Sequence, residues 1–69
     1  MDLLSIIEQA IKREVASNRL YTEAAGKAAS EESRQLFLRL AGEEQKHKEL
    51  LMAEYQKISG RAVNEDWLL

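Results

Sequence analysis

The chain has 69 residues, of which 45% are hydrophobic and 32% charged, and it contains no proline and no cysteine. The lack of cysteine excludes disulfides, zinc ribbons and iron–sulfur ligation, and a net charge of −2 with both signs interspersed offers no basic patch to nucleic acid. No apolar run approaches the roughly 18 residues of a membrane span, and the N-terminus lacks the basic region of a signal peptide. We therefore expect one small helical domain in the cytoplasm that binds neither nucleic acid nor membrane.

The first predicted element is a helix over about 3–28. Apolar and small residues recur along it at the three- and four-residue spacing of one helix face. These residues are Leu4, Ile7, Ile11, Val15, Tyr21, Ala25 and Ala28. The pattern then breaks for a few residues, which predicts a short loop.

The second predicted element is a helix over about 31–58. Ser30 or Ser33 is expected to cap its start, and two glutamates follow in the first turn, where they interact favourably with the helix dipole. Gly60 is expected to end it in the left-handed conformation that glycine adopts without strain. Its apolar positions are Leu36, Phe37, Leu40, Ala41, Leu51, Tyr55 and Ile58.

Two helices joined by so short a loop must lie antiparallel, which makes residues 1–58 a helical hairpin. Each apolar stripe is wider than one partner helix can cover, so a lone hairpin would leave much of its core in water. The expected fold is all-α: an antiparallel two-helix hairpin that dimerises into a four-helix bundle, as a homodimer or within a higher homo-oligomer. A partner domain elsewhere would meet the same need. Residues 59–69 are expected to form a C-terminal tail or a short third helix, with Trp67, Leu68 and Leu69 covering the open end of the bundle.

Both predicted inward seams are apolar towards their ends and polar in the middle. The first helix has Glu14 there, and the second has Glu44 and His47, the only histidine in the chain. Burying an unpaired carboxylate costs several kcal/mol, and carboxylates gathered in one core also repel each other. Metal cations remove both costs, because two copies of this set carry four carboxylate charges, which two divalent ions balance. The second seam runs Phe37, Leu40, Glu44, His47, Leu51, Glu54 and Ile58.

The spacing of Glu44 and His47 also suits a metal. Residues three apart share one helix face, at about 5–6 Å. Both side chains can therefore reach one ion, or Glu44 can bridge two ions while His47 holds one. Oxygen ligands combined with imidazole suit iron or manganese and tolerate zinc.

At these residues the sequence resembles the rubrerythrin-type members of the ferritin-like superfamily. The first half of the resemblance is EVASNRLYTEAA, which places Glu14 and Tyr21 seven residues apart. The second half is QLFLRLAGEEQKHKELL, in which Glu44-x-x-His47 follows a Phe-x-x-Leu-Ala approach. Together they cover about 7–55. Family members usually carry this motif pair twice, and this chain carries it once, so either two chains build the site or the chain is the N-terminal half of a longer protein.

The resemblance implies a ferritin-like four-helix bundle and a non-haem di-iron carboxylate centre with two Fe per dimer, for which Mn or Zn are substitutes. Glu14 would be a terminal carboxylate, Glu44 the bridging one and His47 the imidazole ligand, and all three would serve catalysis. Tyr21 is expected either to pack only or also to hydrogen-bond a ligand carboxylate.

The resemblance also implies an oxidoreductase for iron handling or defence against oxidative stress. It would be a ferroxidase that uses dioxygen or hydrogen peroxide, or a peroxide reductase. A peroxide reductase would need an external electron donor, because a chain without cysteine has no rubredoxin-type module. The sequence does not choose between these activities.

Two other interpretations stay open. In one, the bundle is a binding module that uses metal, such as zinc, as a structural staple or sensor, and the tail contacts a partner. In the other, the hairpin is metal-free and its Glu and His side chains form hydrogen bonds at an interface, with Glu14 bonded to Tyr21 or Asn18. Glu43 and Glu54 are expected to be solvated. Other glutamates are expected to form surface pairs with Lys and Arg: Glu8, Glu23, Glu31, Glu32 and Glu49.

Overall fold

The computed structural model describes residues 2–64, and over that range the chain is all-helical. Helix α1 spans Leu3–Lys27 and helix α2 spans Glu31–Ser59. They pack against each other as an antiparallel hairpin, which confirms the predicted all-α hairpin. Neither helix is long and apolar enough to cross a membrane. The predicted cluster at 67–69 lies outside the described residues.

Local signals define the ends of both helices. Asp2 caps α1. The backbone N–H of Ser33 donates to Ser30 Oγ at 3.1 Å, so Ser30 is the cap of α2. Gly60 ends α2 in the left-handed region with φ 73°, and its N–H donates to the Gln56 carbonyl at 2.8 Å. Each cap supplies partners for backbone groups that the helix itself leaves unpaired.

Glu31 forms the predicted surface pair in the first turn of α2. Arg34 Nη2 lies 2.6 Å from Glu31 Oε1, and Gln35 Nε2 donates to the same carboxylate at 2.9 Å. The hydrogen bonds from Arg34 and then Gln35 lower the pKa of Glu31 to about 2. Because this pKa is lowered on folding, the interaction stabilises the fold above the ordinary pKa and is lost as the pH falls towards 2.

Replacing Gly60 with Ala should lower the free energy of unfolding by about 1 kcal/mol, because alanine is strained at φ 73°. The matched control is Gly42→Ala inside α2, where an added Cβ meets nothing within 4 Å. That change should raise the free energy of unfolding by about 0.5–1 kcal/mol, since Ala favours helix over Gly. Urea denaturation of both variants measures the two shifts, and shifts of the same sign would contradict a left-handed end at Gly60.

The apolar core lies where α1 begins and α2 ends. Ile11 is fully buried, and Ile7, Tyr55 and Val63 are buried around it. The Tyr55 hydroxyl donates to Glu8 Oε1 at 3.1 Å. Glu8 is therefore only partly at the surface, and its carboxylate accepts the hydroxyl of a buried tyrosine across the hairpin.

The face of α2 that packs on α1 differs from the predicted seam. Ala41 and Tyr55 are its buried residues, whereas His47, Glu54 and Ile58 are exposed in the single chain. Successive residues turn by about 100° around a helix, so a small rotation moves the contact from one line of residues to the next. The exposed positions of the predicted seam are ones that a second hairpin would cover in the predicted four-helix bundle.

A second apolar face is left uncovered by the hairpin. Leu3, Ile6, Leu36 and Ile58 are between 43% and 56% exposed, and we call these four residues the open face. Counted at 100° per residue, they lie on one side of the hairpin, about a quarter turn from the α1–α2 contact. The four-helix bundle that would cover this face stays a prediction.

Candidate metal centre

The three predicted ligands lie together at the middle of the hairpin. Glu14 comes from α1, and Glu44 and His47 come from α2; one ligand atom of each lies within 4.8 Å of the other two. His47 Nδ1 is 3.6 Å from Glu14 Oε2 and 3.8 Å from Glu44 Oε2. The antiparallel packing brings the central turns of the two helices to the same level. The structure thus assembles from distant parts of the chain the group that the sequence singled out.

The two carboxylates are shielded and the imidazole is not. The side chains of Glu14 and Glu44 are 22% and 21% exposed, against 56% for His47. The Oε2 atom of Glu14 is buried and has no hydrogen-bond partner among the described residues. A buried carboxylate oxygen without a donor is costly, and a cation placed between the three side chains would remove that cost.

The donor set fits a divalent metal ion. Two carboxylates and one imidazole suit iron or manganese and are also compatible with zinc. Di-metal bundles take one Glu from each of two helices and Glu-x-x-His from each of the other two. One hairpin supplies half of that set, so a second copy of Glu14, Glu44 and His47 would complete it.

The other predicted residues take different positions. The Tyr21 ring stacks on Phe37, with centroids 6.5 Å apart. No hydrogen bond joins Tyr21 to Glu14 within residues 2–64, so a bond from Tyr21 to a ligand carboxylate stays a prediction. Glu43 and Glu54 are exposed, as expected of solvated charges.

Asn18 lies near the site and has a partner that the sequence did not predict. The sequence offers it as a hydrogen-bond partner of Glu14, but its amide Nδ2 donates to the Ala41 carbonyl of α2 at 2.8 Å. The available signal was its place one turn after Glu14 on the same helix face. That signal does not say which acceptor the amide chooses.

The sequence of this chain matches that of a known protein family over most of its length. The rubrerythrin family model matches residues 5–66, which include α1 from its third residue onward, all of α2 and all three clustered side chains. No curated protein and no solved structure matches the chain.

Proposed function

The chain belongs to the rubrerythrin family, and on that premise we propose that it is a non-haem di-iron protein that binds two iron ions across a homodimer. The observation that carries the proposal is the group of Glu14, Glu44 and His47 within 4.8 Å. The buried Oε2 of Glu14 supports it, because this oxygen has no hydrogen-bond donor and a metal ion would fill that need. The open face supports the second copy, since its exposed apolar side chains would be covered by the same face of a partner.

Each side chain has a distinct role in the proposed centre. Glu14 is a terminal carboxylate that reaches the site from α1. Glu44 would be the bridging carboxylate, and His47, one turn further along α2, would supply the imidazole. Two copies give four carboxylates and two imidazoles, and the charge of −4 is balanced by two divalent ions.

When bound, the iron pair supplies one electron per ion, and the two electrons with two protons reduce hydrogen peroxide to two water molecules; dioxygen is the alternative oxidant. The residues of this chain hold the ions, and the shielded carboxylates keep the positive charge compensated. If Fe(II) is the substrate, the protein is a ferroxidase. If the iron stays bound and is reduced again, the protein is a peroxide reductase with an external donor. Single-turnover oxidation with each oxidant separates the two, because a clear preference for peroxide disfavours a plain ferroxidase.

Native mass spectrometry of the metal-free protein with anaerobic Fe(II) tests the proposal. We expect two iron ions per two chains. Replacing Glu44 or His47 with Ala should lower iron affinity by about 100-fold or more, since even residues behind the ligands contribute 10–100-fold. Glu43→Ala is the matched control: this exposed neighbour of Glu44 lies outside the cluster, and its loss should leave the stoichiometry unchanged.

A stable assembly that takes up no iron would rule out the di-iron function. Uptake of zinc but not iron, without redox turnover, would favour the metal-stapled binding module instead.

A further inference from the structure

The hydrogen bond from Asn18 to Ala41 joins the two helices beside the candidate centre. It runs from a side-chain amide of α1 to a backbone carbonyl of α2, is 2.8 Å long and is partly buried. A carbonyl oxygen only accepts hydrogen bonds, so the amide NH₂ must face Ala41. The carbonyl of a helical residue has a second lone pair, and it can take this bond while keeping its place in the helix.

The bond lies within one helical turn of the ligands on each side. Asn18 follows Glu14 by four residues, and so stands over it on the same face of α1. Ala41 precedes Glu44 by three residues on α2. The bond therefore ties the turn that carries Glu14 to the turn that leads into Glu44.

The relative position of the two helices matters more at the level of the candidate ligands than elsewhere in the hairpin. A shift of one residue along a helix axis is 1.5 Å, whereas a metal site tolerates only about 0.5 Å. The apolar cluster of Ile7, Ile11, Tyr55 and Val63 holds the hairpin on the side of the ligands away from the loop, whereas the bond from Asn18 to Ala41 lies on the loop side. The layer at the ligands is polar, so apolar packing fixes the register there poorly.

We propose that Asn18 is a positioning residue for the metal centre, and this inference rests on the proposed function. Its bond to Ala41 sets the register of α1 against α2. The same bond also directs the amide away from Glu14, whose Oε2 is left without a hydrogen-bond partner and so is available to a metal ion. If the amide donated a hydrogen bond to Glu14 instead, that oxygen would be satisfied. A metal ion would then have to displace the amide before it could bind.

A positioning role and a stabilising role predict different outcomes. A single polar residue at a helix–helix seam specifies register at a cost in stability. Asn18→Leu should therefore leave the metal-free hairpin as stable as the wild type or more so. Its affinity for metal should nevertheless fall, because the bond that fixes the register beside the ligands is then lost.

The test titrates Co(II) into the full chain and follows both affinity, by chelator competition, and the visible absorption spectrum. We expect Asn18→Leu to lose at least tenfold in Co(II) affinity and to show a changed spectrum. Tyr55→Phe is the control, because it removes another bond between the helices, from Tyr55 to Glu8, away from the ligands. Its Co(II) affinity should stay within about twofold of the wild type, with an unchanged spectrum, whatever its stability.

The outcomes separate this inference from the proposed function. If the wild type takes up no Co(II), both are overturned. If the wild type binds Co(II) and Asn18→Leu binds it with the same affinity and spectrum, only the role of Asn18 is overturned. Should Asn18→Leu fail to fold, Asn18→Ser gives the same comparison, because a helical serine bonds its own preceding turn and releases Ala41.

Discussion

Replacing Ile11 with Ala should lower the free energy of unfolding by about 2–5 kcal/mol. Ile11 is fully buried, with 0% of its surface exposed, and it packs among Ile7, Tyr55 and Val63 between the two helices. The substitution removes three carbon atoms from this contact. It also leaves a cavity that two long helices joined at one end cannot close without losing other contacts.

The expected loss is large in relation to the total free energy of unfolding of the chain. A core in a domain of this size rarely supplies more than about 3–5 kcal/mol, so the variant should be largely unfolded as a metal-free single chain. Leu50→Ala is the control, since Leu50 is 70% exposed and its truncation should change stability by less than about 0.5 kcal/mol. Circular dichroism during urea denaturation, at one protein concentration, measures both. Equal losses in the two variants would show that the core does not lie around Ile11.

The hairpin could be predicted because its determinants are local. The three- and four-residue spacing of apolar side chains predicted helices over about 3–28 and 31–58, and the structure has them at Leu3–Lys27 and Glu31–Ser59. The left-handed glycine at the end of α2 follows from the same local rules. A loop too short for any other arrangement then makes the helices antiparallel.

The candidate centre could be predicted because charged side chains occupy positions where the helix pattern calls for apolar ones. Glu14, Glu44 and His47 interrupt apolar seams at the same level of the hairpin, and their cost in a core points to a cation. Which face of α2 packs on α1 could not be predicted in this way, because its apolar stripe is wider than one partner helix covers. The hydrogen-bond partner of Asn18 could not be predicted either. An amide at that position can reach both carboxylate and carbonyl acceptors, and the packing of the helices determines which one it binds.

Removing metal from the assembled protein should weaken the dimer by at least about 100-fold. In the proposed dimer the metal-free centre brings four carboxylates together. Two unit charges about 5 Å apart repel by about 3–4 kcal/mol at an effective dielectric constant of 20. Since 1.4 kcal/mol is a factor of ten in an equilibrium constant, one such pair across the interface accounts for the expected weakening.

Sedimentation velocity over a range of protein concentrations, with Fe(II) under anaerobic conditions and with a chelator, measures the two dissociation constants. The double variant Glu14→Gln, Glu44→Gln is the decisive comparison. It keeps the shape of both side chains and removes their charge. It should therefore bind no metal, dimerise equally with and without chelator, and dimerise more tightly than the metal-free wild type.

A wild-type dimer that is equally tight with and without chelator would show that metal does not hold the two chains together. If instead metal tightens the wild-type dimer as expected, dimerisation must also tighten metal binding. By thermodynamic linkage, metal affinity then rises with protein concentration by the same factor by which metal tightens the dimer. Half a ligand set on each chain, beside an exposed apolar face, would then make assembly and metal binding one equilibrium.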